Sequence, residues 1–159
     1  MTRAALLKFL EPLPDDAILG LTLYGEARGE PIEGIIAVGC VIRNRVLTDI
    51  GKDGKPDWWG EGYKGVCLKP WQFSVWNVKN PDANHDTVML TAAQLIAKEP
   101  MPPLFEQCAW VALGISRGAI LDTVKGANHY HTVQMKPRPS WAQNYAPVMQ
   151  KGNHIFYRL

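Results

Sequence analysis

The sequence predicts one mainly helical α+β domain spanning residues 1–159. Three observations carry this. Apolar residues recur at helical spacing in four runs before Gly118. Beyond Gly118 that period is lost, and "GANHYHTVQM" and the terminal "GNHIFYRL" read as short strands that could pair. There is no internal repeat and no linker long enough to divide the chain, and 159 residues suit one core.

The opening "MTRAALLKFLEPLPDD" superficially resembles a secretion signal. Lys8 interrupts its apolar stretch, and two prolines and two aspartates follow where a small-residue cleavage site would stand, so no export signal is expected. Pro14-Asp15-Asp16 starts a helix, its acids facing the positive end of the dipole. Apolar residues at 17, 18, 21 and 24 continue it. Pro31 opens a second helix, apolar at Ile32, Ile35, Ile36, Val38, Ile42 and Val46. Residues 50–66, rich in Gly, Lys and Asp, read as an exposed loop or irregular insertion, and 67–77 are aromatic without a helical period. Two more helices are expected over 85–98 and 104–117, divided by "EPMPP". No apolar run approaches the length of a membrane span.

Charged residues make up 20% and hydrophobic residues 47%, an ordinary globular composition. A net charge of +2, with basic residues spread out, does not point to nucleic acid. The three cysteines are far apart and include no CxxC pair, so they form neither a disulfide framework nor a zinc knuckle. Cys40 and Cys108 read as small core residues.

The stretch "LYGEARGEP" holds the first candidate for chemistry. On a wheel of about 100° per residue, Glu26 falls at the edge of the apolar stripe, among Thr22, Gly25 and Gly29. Glycine in a helix costs about 1 kcal/mol against alanine, so two of them beside one glutamate suggest a close approach by another backbone or by a ligand. A half-buried carboxyl has a raised pKa and can donate a proton near neutral pH. The plainer alternative is that Glu26 pairs with Arg28 or Arg43. Glu30 and Glu33 sit where carboxylates favour a helix start and read as structural.

"YGEARGEP", "GIIAVGCVIRNRV", "WQFS", "GANHYH" and "GNHIFYR", in that order, resemble the cell-wall hydrolases of the spore cortex-lytic enzyme type (SleB/CwlJ). The resemblance runs from about residue 17 to the C-terminus. It implies a fold similar to lysozymes and lytic transglycosylases, a helical body with a small β element beside a sugar-binding cleft. It implies cleavage of peptidoglycan with Glu26 as the catalytic acid. It places Gln72, Phe73, Ser74, Asn128, His129 and Tyr130 near the cleft. The 50–66 insertion and the "GANHYH" variant depart from the common pattern and bear on substrate range. A small version without a signal resembles a bacteriophage endolysin, made in the host cytoplasm and released to the wall by a holin.

Glycosidases commonly use two carboxylates. Asp53, Asp57 and Glu61 fall in the insertion, Asp82 and Asp86 near a helix start where capping explains them, and Asp122 before a Gly-rich turn. None is singled out as a partner for Glu26. A lone glutamate fits a lytic transglycosylase, in which it first protonates the glycosidic oxygen and then takes the proton of the muramic acid 6-hydroxyl, giving a 1,6-anhydro product. Hydrolysis by water is the alternative. Tyr130 or Ser74 could hydrogen-bond Glu26 or an N-acetyl group, and Gln72 could meet an amide. Trp71 and Trp76 are candidates for stacking on sugar, against the plain reading of Trp as a core residue. A zinc amidase on His129, His131 and His154, which would cut between muramic acid and the peptide, and a binding module without catalysis are further alternatives. The expected partner is the glycan strand, the expected state a monomer, and no cofactor or metal is expected.

Overall fold

The structure, a computed structural model, describes residues 1–48 and 59–159. The part of the insertion that holds Asp53, Asp57 and Trp58 lies outside the described residues. Helices α1 (Arg3–Leu10), α2 (Asp15–Ala27) and α3 (Ile32–Leu47) are followed by α4 (Gly62–Leu68), a 3-10 turn (Ser74–Trp76), α5 (His85–Ala97) and α6 (Pro103–Ser116). Three short strands close the chain: β1 (His129–Thr132), β2 (Met149–Lys151) and β3 (His154–Tyr157).

Helix α2 is the axis of the molecule. Ile18 to Gly25 are all buried, because α3, α4, α5 and α6 all pack on it. A helix covered on every side must be apolar on every side, and "AILGLTLYG" is. At its end, a Cβ on Gly25 would lie 2.7 Å from Val75 Cγ2. The close approach at Gly25 is thus made by the Val75 side chain of the 3-10 turn, not by the backbone or ligand expected. Nothing lies within 4 Å of a Cβ built on Gly29.

Two helices depart from the sequence reading. The N-terminal stretch forms α1, with Thr2 Oγ1 accepting from the Ala5 N–H as its cap and Leu6 and Leu10 fully buried, so this segment is part of the core. Gly62 to Val66, expected in a loop, open α4. Its cap comes from afar: Asp15 Oδ2 accepts the N–H groups of Tyr63 at 3.0 Å and Lys64 at 3.3 Å. No local pattern could reveal that.

The strands form one antiparallel sheet in the order β1-β3-β2. The expected pairing of the two C-terminal segments is present, with His129 opposite Tyr157 and Tyr130 opposite Phe156. The register sorts the side chains onto two faces. Tyr130, His154, Phe156 and Met149 share one. His129, His131 and Tyr157 share the other, where Trp141 packs against all three.

Candidate active site

Glu26 sits near the C-terminal end of α2, where the helical body meets the sheet. Its neighbours Gly25 and Ala27 are buried, while Glu26 itself is half-buried. Tyr130 Oη donates to Oε2 at 3.1 Å. Oε1 is buried and has no hydrogen-bond partner among the described residues. Burial pushes the carboxyl up to about 7, and the charge of Asp82 pushes the same way; the Tyr130 hydrogen bond, the Val75 backbone N–H and the Arg45 charge pull it down. Neither arginine weighed as an ion-pair partner takes that role. Arg28 donates to Asn84 Oδ1 at 2.6 Å and lies over the Tyr24 ring, and Arg43 donates to the Ile120 carbonyl.

The segment 74–85 wraps the end of α2. Asn84 Nδ2 donates to the Gly25 carbonyl at 2.8 Å, next in sequence to Glu26, and His85 Nδ1 meets the Val75 carbonyl at 2.7 Å. Asp82 is doubly held: Oδ1 accepts from the Asn84 N–H and Oδ2 from Ser74 Oγ, both at 2.8 Å. The helix-capping role expected of Asp82 and Asp86 is not what forms: α5 has no side-chain cap, and Asp82 instead closes the turn before it, with the Ser74 hydroxyl spent on Asp82. Asp122 likewise caps a turn, accepting from the N–H groups of Val124 and Gly126.

Arg45, which the sequence reading passed over, organises the floor beside Glu26. It is 8% exposed, donates from Nε to the Asn128 carbonyl and from Nη1 to Gln72 Oε1, both at 2.8 Å, and lies over the Phe73 ring. Gln72 donates its amide to the Trp59 carbonyl, so both ends of its side chain are held by protein. Asn128 clamps the C-terminus through Leu159 N–H and C=O and meets His129 Nδ1. A signal for Arg45 was present: it follows Val38 and Ile42 on the apolar stripe of α3, where a charge is out of place unless paired.

The tryptophans separate. Trp76 is 1% exposed and donates its indole N–H to Thr22 Oγ1 at 2.9 Å, which makes it core. Trp71 is 75% exposed, with a left-handed backbone (φ 68°). Phe73 is buried beneath Arg45. His129 lies between Trp59 and Trp141, and burial holds its pKa down to about 4. His154 points from the opposite face of the sheet to His129 and His131, so the three do not converge on one metal. Among the described residues no group of His, Cys, Asp or Glu is arranged to hold a metal ion. All three cysteines are free and buried, and burial pushes the Cys67 and Cys108 thiols up to about 12. A cavity of about 660 Å³ lies at the other end of α2, bordered by Asp16, Phe105 and Trp110, and contains none of these residues.

A helical body with a small antiparallel sheet, and a half-buried carboxyl with a raised pKa where they meet, marks the end of α2 as the candidate active site. The chain belongs to the cell wall hydrolase family, whose model matches residues 29–157. That span begins just after Glu26 and takes in α3 to α6 and the sheet. No match was found among curated proteins. Two solved structures share the fold. The catalytic domain of the Bacillus cereus SleB protein matches with a TM-score of 0.60 and 23% identity, over 91% of this chain and 89% of that one. The catalytic domain of the germination-specific lytic transglycosylase SleB from Bacillus anthracis matches with a TM-score of 0.59 and 22% identity, over 91% and 93%.

Proposed function

We propose that this cell wall hydrolase cuts the glycan strand of peptidoglycan between N-acetylmuramic acid and N-acetylglucosamine, as a lytic transglycosylase with Glu26 as its acid and base. One observation carries the reading. Glu26 has Oε2 held by Tyr130 and feels the Val75 backbone N–H and the Arg45 charge, yet burial still lifts its pKa to about 7. A carboxyl that titrates near neutrality is partly protonated there and can give its proton to the glycosidic oxygen. As the leaving sugar departs, the new carboxylate keeps the Tyr130 hydrogen bond and the field of Arg45. It then accepts the proton of the 6-hydroxyl that closes the anhydro ring. A pKa near neutrality suits both steps.

The placement of Asp82 favours water-driven hydrolysis as a second reading, because a fixed carboxylate acts electrostatically on Glu26. The amidase reading has lost its ligand set, since His154 faces away from His129 and His131. Exposed Trp71 is the residue that suits stacking on sugar, and His129 and Tyr130 flank the sheet edge of the site.

The test compares wild type with Glu26→Gln on purified walls, reading both clearing and sedimentation with the wall. Loss of clearing with retained binding supports the acid; retained clearing refutes it. An endolysin acting on the wall after holin release belongs to the same proposal. Expression with and without a co-expressed holin tests it, with lysis expected only in its presence.

A further inference from the structure

The second glutamate of "GEARGE" stands behind the site. The side chain of Glu30 is 8% exposed, and Oε2 accepts the Asn153 N–H at 3.0 Å from the turn between β2 and β3. That turn is shaped around it: Gly152 has φ +54°, and a Cβ there would collide with Glu30 Oε2. The other oxygen lies 3.8 Å from His154 Nδ1, which is buried and lacks a hydrogen-bond partner. His154 meets the face of Tyr130 edge-on, with ring centroids 5.0 Å apart at 87°. Tyr130 in turn donates to Glu26. A continuous set of contacts therefore runs from Glu30 to Glu26 along one face of the sheet.

We propose that Glu30 is a positioning residue for Glu26, acting through the β2–β3 turn and His154 to hold Tyr130 where its hydroxyl reaches the carboxyl. A residue that only closed a helix start would not need a buried carboxylate bonded to a turn more than a hundred residues away in sequence. The ordinary partners of such a carboxylate are also absent from the arrangement: no Lys or Arg pairs with Glu30 among the described residues. The groups around His154 are Glu30 from the α2–α3 turn and Tyr130 from β1 on its own face, Lys151 beside it on β2, and the charge of His131 from the opposite face of the sheet. The inference rests on Glu26 as the working acid, and its test reads Glu26 directly.

The experiment is a double-mutant cycle on the full chain with Glu30→Ala and Tyr130→Phe, following the Glu26 carboxyl by carbon NMR titration beside wall clearing. Loss of Glu30 should move the Glu26 titration upward, because the Tyr130 bond that favours its charge is loosened, and should lower clearing about tenfold at neutral pH. In the Tyr130→Phe background the same substitution should leave the titration unchanged. Glu30→Gln, which keeps an acceptor for the Asn153 N–H, should restore most of the wild-type behaviour; if the alanine variant fails to fold, Glu30→Met, of similar length but without that acceptor, takes its place in the cycle. A titration untouched by Glu30, or shifted equally in both backgrounds, would overturn the proposal. Clearing that survives Glu26→Gln would instead overturn the acid reading, while the titration still reports on Glu30.

Discussion

Tyr130 Oη and Glu26 Oε2 lie 3.1 Å apart, which joins the sheet to the central helix at the point where the chemistry is proposed. The bond favours the charged carboxylate, so Tyr130→Phe should raise the Glu26 pKa above its value of about 7. Hydrogen bonds to charged groups contribute about 1.5–3 kcal/mol, so turnover should fall by about tenfold or more in the step that needs Glu26 as base. The alkaline limb of the pH–rate profile should move to higher pH. An unmoved limb would show that the bond does not form in solution.

Asp82 pushes in the opposite direction. Its charge raises Glu26, so Asp82→Asn should lower the Glu26 pKa and draw the alkaline limb to lower pH. Asparagine keeps an acceptor for the Asn84 N–H, so the segment 74–85 should stay folded. Activity at slightly alkaline pH should fall more than activity at mildly acidic pH, measured as initial clearing rates across a buffer series.

Stability should carry the same signature. The Glu26 carboxyl titrates at about 7 in the folded chain, against 4.5 for a free one. The folded state therefore holds the proton more tightly, and stability is lost as pH rises from the lower value through the upper one. Above that window the cost is up to about 3 kcal/mol. Glu26→Gln removes it, so thermal unfolding should show the variant more stable than wild type at pH 8 and nearly equal at pH 4. A stabilisation independent of pH would mean that the carboxyl is not shifted.

The two glycines of the motif should behave differently. Gly25→Ala drives a Cβ to 2.7 Å from Val75 Cγ2 and should cost about 1–3 kcal/mol in denaturant unfolding, with activity lost as the 74–85 segment shifts. Gly29→Ala meets nothing within 4 Å and should leave stability unchanged or raise it by about 0.4–1 kcal/mol. A loss of activity in a stable Gly29→Ala would place substrate in that open space.

The helices were legible because their signals are local. The apolar spacing of α2, α3, α5 and α6 lies within each segment, and so does the alternation of β1 and β3. The half-buried setting of Glu26 was legible because a glutamate among Gly25, Gly29 and Thr22 is a local anomaly. Helix α4 was hidden, since its glycine-rich start is capped by Asp15 from another helix. The surroundings of Glu26 were hidden for the same reason. Arg45 and Glu30 bond to partners far along the chain, and only the fold brings the charge of Asp82 to Glu26, Asn84 to Gly25 or Asn153 to Glu30. Trp76 and Trp71 look alike in sequence and end in opposite places, core and surface, because the local pattern of 67–77 carries no burial period.

The most direct test of the account is mass spectrometry of purified peptidoglycan digested in isotopically heavy water by wild type and by Glu26→Gln. The account predicts 1,6-anhydro-muropeptides that carry no label, formed by wild type and absent with Glu26→Gln. Labelled reducing-end muramic acid would contradict the transglycosylase step and turn attention to Asp82 as a second carboxylate. Stem peptides released from intact glycan would contradict glycan cleavage altogether.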